Sequence, residues 1–151
     1  IVVRNRFGKA TRAIGQRGTG PGRFRAMTFL TSANDDLYVR DRLELPVQVI
    51  DWQGNYRYSF GESELLFPSA IAVDKGQRAY ISDRSTNTIQ VYQDGQLMLA
   101  FGGGGSAPGR FRLVTGMWVN GNLLYVADSL NRRVQVLRIN PSAAVFESPE
   151  G

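Results

Sequence analysis

FGGGGSAPGRFRLVTGMWVNGNLLYVADSLNRRVQVL, residues 101–137, contains a Gly-rich connection, an apolar stretch, Tyr125-Val126-Ala127-Asp128, a polar loop and the alternating Val134-Gln135-Val136. Two further segments carry the same frame. LYVRD at 37–41 and AYISD at 79–83 match LYVAD at 124–128, and each leads through a polar loop to a short alternation, Val47-Gln48-Val49 or Ile89-Gln90-Val91. A turn glycine and a closing glycine then follow seven residues apart, at 54 and 61 and at 95 and 102, and Gly8 with Gly15 repeats the pair near the start. The closing glycines at 15, 61 and 102 are separated by 46 and 41 residues.

Repeats of roughly 40 to 50 residues made of short strands and turns predict an all-β chain, a β-propeller of four-stranded antiparallel blades. Alternation with a two-residue period, rich in Val, Ile, Tyr and Phe, recurs along the chain, and no segment sustains a 3.6-residue period, so helix is not expected. In each blade strand a is the apolar piece (AMTFL, SAIAV, TGMWV), b holds Tyr-x-x-Asp, c the VQV-type alternation, and d ends in an aromatic residue or Ile before Gly. In VQV the two apolar side chains share the face that packs on the next blade, and Gln takes the other. The expected division is outer strands of a preceding blade at 1–15, blades at 16–61 and 62–102, strands a to c of another at 103–140, and a tail at 141–151. Within the tail, the stretch from Ala143 to Phe146 could supply a missing outer strand.

The order of Phe-Gly, a Gly- and Pro-containing linker, an apolar strand, Tyr-(Val/Ile)-x-Asp, a loop with Asn, and (Ile/Val)-Gln-Val resembles the NHL repeat of six-bladed β-propellers. Tyr125, Asp128, Asn131, Arg133 and Val134-Gln135-Val136 lie on that motif, as do Tyr80, Asp83, Asn87 and Ile89-Gln90-Val91. The first repeat departs from it, with RLELP after Asp41. The resemblance covers about residues 1–140 and implies an incomplete ring, since the strands in this chain make up about half of six blades. It implies a fold; propellers of this kind serve many functions.

PGRFR occurs at 21–25 and again at 108–112, each time after a Gly-rich run, in the connection from strand d to the next strand a. In an extended segment successive side chains point to opposite sides, so Phe24 and Phe111 are expected between blades with Arg23, Arg25, Arg110 and Arg112 at the rim. Phe67 is expected to hold the same structural place in the middle repeat, flanked by Leu66 and Pro68 instead of arginines. The d-to-a and b-to-c connections of a propeller emerge on one face. Arg17, Arg23, Arg25, Arg40, Arg42, Arg84, Arg110, Arg112, Arg132 and Arg133 fall in those connections and form the candidate binding face, against the acids Asp41, Glu44, Glu62, Glu64, Asp83 and Asp128.

The chain has 151 residues, a formal charge of +5 and neither Cys nor His. That excludes disulfides, thiolate nucleophiles, imidazole bases and the zinc sites built on those ligands. The Arg-dominated charge suits nucleic acid or an acidic protein surface, and fits a GC-rich genome equally. No apolar run reaches the roughly 20 residues of a spanning helix, so membrane insertion is not expected. The start at Ile1 reads as processed, trimmed or incomplete, and the compartment stays open with a lean to extracytoplasmic placement.

Asp41, Asp83 and Asp128 occur once per repeat at one place, the pattern of carboxylates that accept hydrogen bonds from loop amides, so no metal or cofactor is expected there. Amidating lyases of the family would need histidine ligands. Lactonase-like hydrolases use acidic and amide ligands around the channel, for which Asn120 alone is a candidate. The glycines within 104–110 have P-loop separation but lead into Arg-Phe, with no following Lys or hydroxyl. Met27, Met117 and Trp118 are expected as core or channel lining; Trp52, Tyr56 and Tyr58 lie toward the outer edge, where a partner contact is plausible. The resulting expectation is a non-catalytic scaffolding module that binds a protein partner, or a second copy that completes the propeller. The alternative is an RNA-binding propeller that uses the arginines, against which the burial of Phe24 and Phe111 counts because buried rings cannot stack on bases.

Overall fold

The computed structural model describes residues 1–44 and 47–140. The tail at 141–151, with the strand expected from Ala143 to Phe146, lies outside the described residues, as do residues 45–46, the last two of the RLELP stretch. The chain is all-β, built of antiparallel sheets of the blade type, and divides into two compact units, Ile1–Glu62 and Ser63–Gly151. The one helical piece among the described residues is a 3-10 turn at Ser129–Asn131.

In the first unit β1 (Val2–Arg4) pairs with β2 (Ala10–Ala13). A short parallel pair, β3 (Gln16–Arg17) with β4 (Arg23–Phe24), closes the connection. A four-stranded sheet follows in the order β5 (Met27–Ala33), β6 (Asp36–Asp41), β7 (Val47–Asp51) and β8 (Tyr56–Phe60). Ile14, Phe24, Leu37, Val39 and Ile50 form its core, with Ile1 and Val3 packed alongside.

The second unit has a four-stranded sheet of β9 (Pro68–Val73), β10 (Ala79–Asp83), β11 (Thr88–Gln93) and β12 (Gln96–Gly102). A three-stranded sheet follows, β13 (Val114–Asn120), β14 (Leu123–Asp128) and β15 (Arg133–Arg138). The two sheets enclose a core of Ala70, Ala72, Tyr80, Ile89, Val91, Phe111, Val114, Leu124, Val126, Leu137 and Ile139. Apolar side chains at alternate positions, facing each other across about 10 Å, are what make two sheets stack.

All three inner pairings slip register at one place, beside the aspartate that ends strand b. The extra residues are Thr28, Ser69 and Thr115. A bulge bends the strand and increases its twist. Each bulge residue lies four positions after a buried apolar one, Phe24, Leu65 or Phe111.

Candidate functional site

The three repeat aspartates are almost wholly buried, and each carboxylate is filled by hydrogen bonds. Asp41 accepts the backbone N–H groups of Arg25, Ala26 (2.9 Å) and Leu43 (2.9 Å). Asp83 accepts those of Leu66 (2.6 Å), Phe67 (3.0 Å) and Ser85 (2.8 Å), and also the Ser85 hydroxyl (2.5 Å). Asp128 accepts the Arg112 N–H at 2.7 Å, and its other oxygen takes Asn131 Nδ2 (2.9 Å), Arg133 Nε (2.8 Å) and Gln135 Nε2 (3.0 Å). Burial alone would push these carboxyls up; the donors outweigh it and hold all three below the ordinary carboxylate range. Each aspartate therefore ties the end of strand b to the connection entering strand a.

The Gln of each VQV-type strand holds the same connection from the other side. Gln48 accepts Gly22 N–H at 2.8 Å and donates to the Gly20 and Arg23 carbonyls at 3.3 and 3.2 Å. Gln135 accepts Gly109 N–H at 2.9 Å and donates to the Arg110 carbonyl at 2.7 Å. Gln90 donates to the Glu64 carbonyl at 2.9 Å. Alternation assigns Gln to a face; the Gly-Gln contact that it makes across 26 residues is invisible without the fold.

These contacts explain the repeated pentapeptide. The Gly-rich run turns back so that the Phe111 N–H donates to the Gly103 carbonyl at 2.9 Å and the Gly105 N–H to the Phe111 carbonyl at 3.1 Å. Phe111 is fully buried, edge-on to Phe101 with ring centroids 6.4 Å apart. Its ring lies so close to Gly102, at φ +100°, that a Cβ there would meet Phe111 Cε2 at 2.6 Å; Gly15 and Phe24 repeat this, at 2.7 Å. The closing glycine and the Phe of PGRFR are thus two halves of one contact.

Two expectations are corrected here. Phe67 is not the counterpart of Phe24 and Phe111: it is 55% exposed, and Leu65 is the fully buried residue. The Asp83 bonds set the register, because Leu66 and Phe67 donate to Asp83 as Arg25 and Ala26 donate to Asp41. Trp118, expected as core or channel lining, is 59% exposed and lies against Tyr125 at 5.3 Å between ring centroids. Met27 is likewise exposed, whereas Met117 packs on the core of the second unit.

The ten arginines fall into different environments. Arg40 is buried and donates to the carbonyls of Asp41 and Glu44, so it is not part of an exposed face. Arg133 binds Asp128 and the carbonyls of Ser106 (2.7 Å), Ala107 (3.0 Å) and Arg110 (2.9 Å), a structural clamp. Arg25 pairs with Glu44 at 3.0 Å, and Arg110 donates to the Gly102 carbonyl at 2.7 Å. Arg84 lies over the Phe67 ring, 5.4 Å from its centroid. Arg17, Arg23, Arg42, Arg112 and Arg132 are exposed. Among the described residues no group of three or more acids could hold a metal ion, and no helix is long and apolar enough to cross a membrane.

No family model matches the chain. Over 98 residues the chain is 33% identical to Protein brain tumor of Drosophila melanogaster, covering 59% of this chain and 10% of that protein. It is 35% identical over 89 residues to NHL repeat-containing protein 2 of Gallus gallus, covering 53% of this chain and 12% of that protein. Both relatives are NHL-repeat proteins, and the chain spans about a tenth of their length.

Proposed function

With NHL-type repeats as the premise, we propose that this chain is a non-catalytic binding module whose propeller surfaces hold a protein partner, either another protein or a second copy that completes the ring. The observation that carries this reading is an open apolar sheet face. Trp118, Tyr125 and Val136 are aligned across β13, β14 and β15, with Ala127 and Val134 beside them on the same side. Trp118 and Val134 are 59% and 64% exposed. The matching positions of the preceding sheet, Ala72, Tyr80 and Val91 with Ile89, are buried under the next sheet. Apolar area of this kind, left open, favours association.

Native mass spectrometry of the untagged full chain tests the reading. A mass of twice 16.7 kDa, or a heteromeric mass from the source, is expected. A monomer at every concentration whose Trp118 emission stays solvent-exposed when source proteins are added would overturn it.

RNA binding is the second reading, supported by the exposed Arg112 and Arg132 on the connections. Under it, affinity for single-stranded RNA falls linearly in log-log form as salt rises; absence of binding at low salt removes this reading.

A further inference from the structure

Within the second unit, one rim combines exposed apolar side chains with cations. Leu66 and Phe67 precede β9, and Arg84 follows β10; the Arg84 N–H donates to the Phe67 carbonyl at 3.0 Å. Arg112 precedes β13 and Leu130 follows β14, and the Leu130 N–H donates to the Arg112 carbonyl at 3.1 Å. The two connections are equivalent, with the Ser129 N–H to Leu113 carbonyl bond (3.1 Å) as the counterpart of the Arg84–Phe67 bond, and they are adjacent. Ser69 at the start of β9 donates its hydroxyl to the Val114 carbonyl at the start of β13 (2.7 Å), and Asn87 accepts the Leu113 N–H at 3.0 Å. Stacked sheets lie about 10 Å apart, so the pairs are within reach of one short segment.

Leu66, Phe67 and Leu130 are 59%, 55% and 67% exposed. Around them Arg84, Arg112 and Arg132 are exposed too. Acids do not balance these charges. Asp83 and Asp128 are buried and bonded, whereas Asp74 and Asp94 follow β9 and β11 at the other end of the strands. Glu62 and Glu64, both in the connection entering β9, are the exposed acids of these connections among the described residues.

We infer that this rim docks a short acidic peptide segment bearing apolar side chains, a deepening that rests on the protein-binding reading above. Carboxylates meet Arg112 and Arg132, and aliphatic or aromatic side chains cover Leu66, Leu130 and the edge of Phe67. The apolar residues decide between macromolecules. A single-stranded nucleic acid gains from open aromatic faces, and here Arg84 covers a face of Phe67 while the other two anchors are leucines. A peptide can satisfy both the leucines and the arginines.

The test is panning of random dodecapeptides on the full chain, then fluorescence anisotropy with the enriched peptide, poly-glutamate of equal length and an oligouridine. Enriched peptides are expected to combine Asp or Glu with Leu, Ile or Phe, and to bind more tightly than poly-glutamate. The paired substitution Arg112→Glu with Arg132→Glu, and separately Leu66→Ser with Leu130→Ser, should each weaken binding by about tenfold or more. Circular dichroism checks that these exposed-site variants fold. Peptides bound with unchanged affinity by both variants would overturn the rim and leave the protein-binding reading standing. Oligouridine binding with no peptide enriched would overturn both, and no binding of any probe would overturn the rim.

Discussion

The two sheets of the second unit carry nearly the same side chains on corresponding faces, yet one face is core and the other is surface. Ile89 and Val91 are 0% and 3% exposed, and Val134, which corresponds to Ile89, is 64% exposed. Tyr80 is fully buried and its counterpart Tyr125 only partly so. The difference lies in what comes next along the chain: Phe111, Leu124, Val126 and Leu137 cover the first face. A repeat residue is thus made a core residue by the neighbouring repeat, as expected for an architecture in which each unit completes the burial of the one before.

The largest break in this comparison should come from Phe111, which seals the covered face. Phe111→Ala is expected to cost about 4 kcal/mol, because a fully buried ring leaves both lost transfer energy and a cavity. Leu65→Ala should cost about 3 kcal/mol, whereas Phe67→Ala should stay within about 0.5 kcal/mol. Urea denaturation of the three variants measures the order. A Phe67 effect as large as that of Leu65 would refute the assignment of Leu65 as the buried counterpart.

Asp128 comes next. Asp128→Ala leaves Arg133 Nε and the Arg112 amide without their acceptor, at a cost of about 2 kcal/mol. The pH dependence follows from the direction of its shift. The folded carboxyl titrates below the roughly 3.9 of an unfolded aspartate, so on acidification the unfolded chain takes up its proton first. The stabilisation is complete above about pH 5 and is lost as pH falls through the folded pKa. Asp128→Asn should therefore flatten the acid limb of a stability-pH curve, and an unchanged limb would contradict the bonding described here.

Gly102→Ala should cost about 2 kcal/mol, from positive φ and the clash with Phe111, while Gly109→Ala meets no atom within 4 Å and pays for backbone conformation alone. Thermal melts that rank the two equally would break the link between the closing glycine and the Phe ring.

Strand order and the aspartate frame were legible because they follow from periodicity: alternation places strands, and a residue that recurs once per turn marks a loop anchor. The Leu65 position was not, since matching by residue type aligned Phe with Phe, whereas the amide bonds to Asp83 align backbone with backbone. Nor were Arg40 and Arg133 separable from the exposed arginines, because which guanidinium finds carbonyls depends on loop geometry rather than on composition. The bulges at Thr28, Ser69 and Thr115 did leave a signal, a hydroxyl residue four positions after each buried Phe or Leu. The exposure of Trp118 left none, since its neighbours on the strand are those of a core.

The smallest effect sharpens the opening comparison most. Val91→Ala removes methyl groups from a covered face and should cost about 1 to 2 kcal/mol, whereas Val134→Ala in the isolated chain should change stability by less than about 0.5 kcal/mol. The two positions differ in cover far more than in chemistry, so their difference in ΔΔG measures the covering sheet itself. If the chain associates through the Trp118 face, the Val134 effect must grow with protein concentration, because burial then depends on mass action. Denaturation at two concentrations well apart reads this directly: a Val134 effect that stays small at both places the partner elsewhere, and one that approaches the Val91 value at the higher concentration makes the open face the site of assembly.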